Sequence, residues 1–136
     1  MVLRCDTDTP SVAPVSTDPR HRLGHAGEQL AVEHLCRRGF ELVHRNHRTR
    51  YGEIDLVVFD GTTLVICEVK TRRAGSGSPW DALDERKRAQ VRRMAIAYLN
   101  DVTERPRARE VRFDAIGVVI DAHGRLVRLD HLEGAF

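Results

Sequence analysis

The sequence predicts an α/β domain built on a mixed sheet, and three observations support this prediction. Residues 23–38 and 80–100 carry apolar side chains at helical spacing. Five other segments are rich in apolar and β-branched residues, as strands are. The resulting order is helix, three strands, helix, strand, strand. The strand–helix–strand part predicts a parallel crossover, whereas the first three strands can form an antiparallel meander.

The length and composition indicate one globular domain with an N-terminal extension. A chain of 136 residues favours a single domain that is large enough to bury a core. Residues 1–20 are rich in Thr, Ser, Pro and Asp and show no periodicity. We therefore expect a flexible tail there and the domain over residues 21–136. A formal net charge of +2 is too small to indicate a nucleic-acid partner by itself.

The compartment is predicted from the cysteines and from apolar runs. The three cysteines form no CxxC pair and no even framework, so we expect Cys36 and Cys67 to be buried thiols in a reducing cytoplasm. No apolar run reaches the length of a membrane span, and the acidic N-terminal segment has no signal-peptide core. We therefore predict a cytoplasmic protein that does not act in a membrane.

The first helix is predicted over residues 23–38, with Gly39 as its C-terminal stop. Glu28 precedes Ala31 and Leu35 along the apolar stripe of this helix. A carboxylate on that stripe is a candidate functional group, although most helical glutamates are solvated. A first strand is predicted over residues 40–47.

A basic run links the first strand to the second. Arg45, His47, Arg48 and Arg50 come directly before Gly52. Such a run can contact the phosphates of a nucleic acid, and it can equally be a solvated loop. The spacing alone leaves both interpretations open.

The next two strands form a predicted hairpin whose apolar pattern is interrupted by three charges. Asp60 and Gly61 are a typical hairpin turn. Strand residues two apart share a face, so Glu68 and Lys70 point the same way. A four-residue loop would set Asp55 opposite Glu68, and a two-residue loop would set it diagonal to Glu68. Either register places all three charges on one face, which a three-residue loop would not.

These charges admit two interpretations. Two opposed carboxylates in a half-buried site repel each other by about 4 kcal/mol, for a separation of about 4 Å and an effective dielectric constant of about 20. We therefore expect a cation between Asp55 and Glu68. A divalent ion such as Mg²⁺ or Mn²⁺ is one candidate, because it prefers carboxylate oxygens. The other is Lys70, which would turn the three side chains into an internal ion cluster.

A loop rich in Gly and Ser leads into the second helix, residues 80–100, for which Asp81 is the predicted N-cap. Lys87 falls in the apolar stripe of this helix, so its stem should point toward the sheet and its amine should extend past the apolar surface. Residues 110–120 are apolar on both faces, which predicts a central strand. Residues 126–132 alternate weakly and predict an edge strand.

Together these features resemble the PD-(D/E)XK nuclease superfamily and, more closely, the YraN-type family of uncharacterised bacterial proteins, which is related to archaeal Holliday-junction resolvases. The resemblance covers residues 23–136. Ile54 stands where the superfamily name has Pro, a change that the closer family shares. The matching residues lie in a GxxGE helix, in the GEIDL and EVKTR motifs, and at Asn46, Arg48, Lys87, Arg112, Phe113, Asp114, Ala135 and Phe136.

The resemblance implies a restriction-endonuclease-like αβββαβ core with an added C-terminal strand, and a metal-dependent endonuclease that acts on DNA. By this resemblance the catalytic residues are Asp55, Glu68 and Lys70, with Lys70 orienting the attacking water. The ligands of Mg²⁺ or Mn²⁺ would be the carboxylates of Glu28, Asp55 and Glu68 and the backbone carbonyl of Val69. The residues expected to contact nucleic acid are Arg48, Arg50, Arg72, Arg73 and Lys87.

Branched or flapped DNA is among the substrates that the resemblance suggests, and a homodimer is among the assemblies. Two other functions remain as alternatives. One is a nucleic-acid-binding or interaction module that keeps the fold without the chemistry. The other is a structural protein in which the carboxylates belong to an internal salt cluster.

Overall fold

A computed structural model describes residues 18–136 as a five-stranded mixed sheet with a helix on each face. The strands lie in the order β1-β2-β3-β4-β5, and β3 and β4 form the parallel pair while every other pair is antiparallel. The predicted α/β class and the crossover are therefore confirmed. The elements are α1 (Pro19–Arg37), β1 (Glu41–Thr49), β2 (Gly52–Phe59), β3 (Thr63–Arg73), a 3-10 helix (Pro79–Ala82), α2 (Glu85–Asp101), β4 (Glu110–Ile120) and β5 (Leu126–Leu132).

The first helix begins earlier than the sequence pattern predicted. Asp18 is its N-cap, and the Asp18 carboxylate accepts a hydrogen bond from the Arg20 N–H at 3.0 Å. Pro19 occupies the first turn, where a missing N–H costs nothing. Pro19 and Arg20 therefore belong to α1 and not to the predicted tail. The rest of that prediction lies outside the described residues.

The second helix begins later than predicted, and Asp81 is not its N-cap. Asp84 caps α2 by accepting the Lys87 N–H at 2.9 Å. Asp81 instead completes a capping box in the preceding 3-10 helix, where its carboxylate accepts the Ser78 N–H at 3.0 Å. Asp84 starts α2, whereas Asp81 lies inside the 3-10 helix that Ser78 caps, and apolar periodicity alone does not distinguish the two aspartates.

The sheet is covered on both faces, and each helix packs on its own core. Against α1 lies a cluster that includes Leu35, Leu56 and Ile116. Against α2 lies a second cluster that includes Leu64 and Tyr98. Burial on both faces explains why β2, β3 and β4 are nearly continuous apolar runs.

Helix α1 packs closely on the end of β3 because a glycine faces it. A Cβ atom at Gly27 would collide with the side chain of Thr71. Thr71 follows Lys70 directly on β3. The absence of a side chain at Gly27 thus brings the next residue, Glu28, to the same end of the sheet as Lys70.

Two expectations about compartment are only partly met. Cys67 is a buried free thiol, as predicted, whereas Cys36 is half-buried and disulfide-bonded. The expectation of a thiol at Cys36 was wrong, and the cysteines do not support a reducing compartment. Over residues 18–136, no helix combines the length and the apolar character that crossing a bilayer requires. The cytoplasm stays a prediction.

Candidate functional site

The residues singled out from the sequence collect at one end of the sheet. Strand β1 ends at Thr49, β2 begins at Gly52 and β3 ends at Arg73, so the antiparallel arrangement brings these three termini together. Phe59 lies opposite Leu64, which is the register of the four-residue-loop alternative. The β2–β3 ladder then stops at the Leu56–Cys67 pair, one residue before Asp55.

The Asp55 side chain replaces the backbone ladder at the point where β2 and β3 separate. Its Oδ2 accepts a hydrogen bond from the Val69 N–H at 2.8 Å. Ile54 belongs to the α2-side core and Leu56 to the α1-side core, so the alternation of faces slips at Asp55. The carboxylate therefore turns toward the β3 backbone, next to Glu68.

The electrostatic environment of Asp55 favours its neutral form. Burial, followed by the negative charge of Glu68, raises the pKa of the Asp55 carboxyl to about 8. The hydrogen bond from Val69 and the positive charge of Lys70 act in the opposite direction, and the charge of Glu28 adds to the rise. An added cation beside Asp55 would reverse this balance.

Glu68 is almost fully buried and has two ammonium groups on one oxygen. It is 4% exposed, and its Oε1 lies 2.9 Å from Lys87 Nζ and 3.2 Å from Lys70 Nζ. Lys70 comes from the same strand, and Lys87 reaches the carboxylate from α2. The predicted inward direction of Lys87 is thus confirmed.

Glu28 lies in an adjacent polar cluster on the α1 side. When the Asn46 amide is oriented to satisfy its neighbours, its nitrogen donates to Glu28 Oε2 at 3.1 Å and to Glu53 Oε1 at 3.0 Å. Arg45 Nε lies 3.9 Å from Glu28 Oε2. Burial raises the pKa of Glu28 above its usual value, and the charge of Arg45 and the Asn46 hydrogen bond partly oppose that rise.

The predicted ligand set is not a preformed cage of side chains. Within residues 18–136, no group of three or more His, Cys, Asp or Glu side chains is placed to hold a metal ion. Asp55 and Glu68 lie on neighbouring strands, with the Val69 peptide between them. Glu28 is bound by the Asn46 amide and interacts with Asp55 through its charge.

The arginines that were predicted to contact nucleic acid lie around this end of the sheet. Arg48 is exposed and lies 3.8 Å from Glu53 Oε2. Arg50 follows in the β1–β2 turn, and Arg72 and Arg73 close β3. All four therefore lie at the end of the sheet toward which Asp55 and Glu68 are placed. Lys87 differs from them because its ammonium is already paired with Glu68.

Comparison with known proteins assigns the family. The model of an uncharacterised protein family, UPF0102, matches residues 27–118. The chain belongs to this family. UPF0102 is the YraN family, so the resemblance seen in the sequence is confirmed. The matched part of this UPF0102 chain spans β1 to β3, α2 and most of β4, and it contains Glu28, Asp55, Glu68 and Lys87.

Curated UPF0102 relatives match over nearly their whole length. A UPF0102 protein of Parafrankia sp. (strain EAN1pec) is 46% identical over 116 residues, which cover 85% of this chain and 96% of the relative. One from Rhodococcus jostii is 44% identical over 115 residues, covering 84% and 95%. One from Pelotomaculum thermopropionicum is 39% identical over 120 residues, covering 88% and 98%. The names of these relatives state no activity.

The structure of this UPF0102 chain shows contacts of two residues at the site that were not predicted from the sequence. Asn46 adopts a left-handed backbone with φ of 52°, which lets its side chain reach two carboxylates. Tyr51 is 40% exposed in the β1–β2 turn. The sequence carried a signal for Tyr51, because an aromatic residue next to a run of arginines is typical of nucleic-acid surfaces. No sequence signal gives the Asn46 conformation.

Proposed function

We propose that this UPF0102 protein is a metal-dependent endonuclease that hydrolyses phosphodiester bonds in DNA. The observation that carries the proposal is the convergence of Asp55 and Glu68 where β2 and β3 separate. Two carboxylates share this half-buried place with the Lys70 ammonium. Keeping like charges together in a protein interior costs free energy, and functional sites are where such costs are commonly met.

The residues fit a hard divalent cation such as Mg²⁺ or Mn²⁺. Glu68 Oε1 contacts the ammonium groups of Lys70 and Lys87, and Asp55 Oδ2 accepts a hydrogen bond from the Val69 N–H. Besides these two oxygens, each carboxylate has a second one, Asp55 Oδ1 and Glu68 Oε2, that could take a metal ligand position. Two carboxylate oxygens and the Val69 carbonyl are the kind of ligands that Mg²⁺ and Mn²⁺ take at open sites completed by water. Glu28 would join the metal ligands from the neighbouring Asn46 cluster.

The chain's own groups supply the remaining requirements of phosphodiester hydrolysis. A bound divalent ion lowers the pKa of its water and offsets phosphate charge. Lys70 places a fixed ammonium beside Glu68, where it can orient the attacking water and stabilise the negative charge that develops on the phosphate. Arg48, Arg50, Arg72 and Arg73 can hold the flanking phosphates, which sets affinity and salt dependence without reading sequence.

A second function is favoured by one contact. Lys87 Nζ lies closer to Glu68 Oε1, at 2.9 Å, than Lys70 does at 3.2 Å. The buried carboxylate therefore already has cationic partners within the protein. This arrangement would suit a module that binds nucleic acid on the same fold and performs no cleavage.

A cleavage panel separates the two functions. Single-stranded, duplex, flap and four-way DNA would be incubated with Mn²⁺ and with wild-type, Asp55→Asn, Glu68→Gln or Lys70→Met protein. Endonuclease function predicts products from at least one substrate, with chelator and each substitution abolishing them. Binding of DNA without cleavage of any substrate would favour the module that binds nucleic acid and performs no cleavage. Wild-type rates in the purified variants would reject the assignment of the site.

A further inference from the structure

A surface pocket of about 560 Å³ lies between the β1–β2 turn and α2. Its wall is formed by Tyr51 from the turn and by a series of residues on α2: Asp84, Arg86, Lys87, Ala89, Gln90 and Arg93. This volume is in the range of small-ligand sites. The pocket adjoins the carboxylate site directly, because Lys87 lines the pocket and contacts Glu68 at 2.9 Å.

The backbone that presents Tyr51 is held firmly while its ring stays exposed. The Tyr51 N–H donates to Thr49 Oγ1 at 3.1 Å, and the Tyr51 carbonyl accepts from Gln90 Nε2 at 2.9 Å. The Thr49 hydroxyl donates to the Gly52 carbonyl at 2.8 Å. Tyr51 is 40% exposed despite these bonds. An exposed aromatic side chain on a held backbone contributes little burial to the stability of the fold.

Gly52 is what allows the turn to approach α2. Its φ is 138°, a conformation that favours glycine. A Cβ there would lie 2.8 Å from Gln90 Nε2 and 2.9 Å from Met94 Sδ. A side chain at this position would strain the backbone and would have to displace the ends of Gln90 and Met94, including the Gln90 amide that donates to the Tyr51 carbonyl.

The charges around the ring are mainly positive. The Arg50 guanidinium carbon lies 5.2 Å from the centroid of the Tyr51 ring. Arg86 and Arg93 contribute two further cations to the pocket. The carboxylate of the pocket, Asp84, caps α2 through the Lys87 N–H at 2.9 Å. An aromatic ring beside one guanidinium group, in a pocket that two further arginines line, suits a ligand that is both aromatic and anionic.

We infer that Tyr51 is a stacking platform for an unpaired nucleotide next to the phosphate that is cleaved. The inference rests on the proposed function for the location of that phosphate. A base inside a duplex is stacked on its neighbours and cannot cover the ring, whereas an unpaired base can. Arg86 and Arg93 then hold the phosphates of the same strand. The substrate class is DNA with a single-stranded segment.

The test is a binding titration by fluorescence anisotropy in chelator, with labelled oligothymidylate and a labelled blunt duplex. Tyr51→Ala should weaken binding of the single strand by about 5- to 100-fold and leave duplex binding nearly unchanged. Tyr51→Phe is the matched control and should bind as the wild type does. The same affinity for oligothymidylate in wild type and Tyr51→Ala overturns the inference, and so does an equal loss on both ligands.

The titration also separates this inference from the proposed endonuclease. If binding depends on Tyr51 and no substrate is cleaved, the proposed endonuclease function is rejected and the stacking role of Tyr51 stands. Cleavage by the wild type, together with unchanged binding by Tyr51→Ala, would remove the platform and keep the endonuclease. Failure of the wild type to bind oligothymidylate would also overturn the platform.

Discussion

The Val69 N–H donates to Asp55 Oδ2 at 2.8 Å, and this hydrogen bond joins two strands at the place where their backbone pairing has ended. The carboxylate is thereby fixed beside Glu68, whose negative charge opposes its ionisation. If the side chain at position 55 served only to end the pairing of β2 with β3, an uncharged amide could accept the same hydrogen bond. The acidic side chain thus costs stability at a position where an amide would serve.

Asp55→Asn is therefore expected to stabilise the protein in chelator. A raised pKa means that the folded state holds the proton more tightly than the unfolded chain, so the stability of the wild type falls as pH rises from about 4 toward about 8. The asparagine variant lacks this dependence. Urea unfolding at several pH values should give a larger free energy of unfolding for the variant than for the wild type, and this difference should grow up to about pH 8. An equal or larger pH dependence in the variant would refute this.

The two lysines around Glu68 should show strong energetic coupling. Lys70→Met or Lys87→Met alone leaves one ammonium on the carboxylate and should cost about 1–2 kcal/mol. The double variant leaves a buried, unpaired charge, so its loss should exceed the sum of the single losses by about 1 kcal/mol or more. Adding Glu68→Gln should recover most of that excess. Strict additivity in a chemical-denaturation cycle would show that the lysines act independently.

Gly27 and Gly24 offer a matched pair on one helix. A Cβ at Gly27 would collide with Thr71, whereas nothing lies within 4 Å of one at Gly24. Gly27→Ala should lower the free energy of unfolding by about 1–3 kcal/mol through overpacking. Gly24→Ala should raise it by about 0.5–1 kcal/mol through helix propensity. Thermal melts of both variants test the pair, and a stabilised Gly27→Ala would contradict the close packing of α1 on β3.

The C-terminal half of the sheet contains a buried charge cluster with its own pH dependence. Asp114 is 0% exposed and accepts hydrogen bonds from His131 Nε2 at 2.7 Å, Arg112 Nε at 2.8 Å and the Gly134 N–H at 3.0 Å. Burial acts to raise the pKa of Asp114, but these bonds outweigh it and hold that pKa below its ordinary value.

The sign of this shift predicts acid sensitivity. A lowered pKa stabilises the fold above the ordinary pKa of an aspartate, and that contribution disappears as pH falls through the folded-state value. Asp114→Asn should cost about 3 kcal/mol at neutral pH, and the difference from wild type should shrink in strong acid. Asp130→Asn, which removes a surface pair with Arg128, is the control and should cost less than about 1 kcal/mol. Equal losses in the two variants would contradict the argument.

Local patterns predicted the strands better than the helix starts. The bounds of β4 and β5 match the predicted segments 110–120 and 126–132, because apolar runs set their extent and the turns with Gly124 and Gly134 mark the end of β4 and both ends of β5. The start of α1 was missed since its signal, an Asp followed by Pro, lies in a segment rich in the same residues. Lys87 was placed correctly because helical periodicity determines direction as well as burial.

The remaining features of the site depend on distant contacts. The four-residue-loop register fixed where Asp55 meets β3, but the slip in face alternation at Asp55 has no sequence pattern. The bridge of Asn46 between Glu28 and Glu53 forms only once α1 packs on the sheet, and no sequence pattern gives the positive φ of Asn46. The pocket beside Tyr51 likewise depends on the approach of the β1–β2 turn to α2, which the positive φ of Gly52 and its lack of a side chain favour.

Calorimetric titration with Mn²⁺ tests the shared cation site of Asp55 and Glu68 most directly. Wild-type protein should give a saturable heat that is absent in Asp55→Asn and in Glu68→Gln. Glu53→Gln removes one nearby negative charge of the Asn46 cluster and should retain the heat. No saturable heat in the wild type, or an unchanged heat in Asp55→Asn, would contradict the proposed metal site.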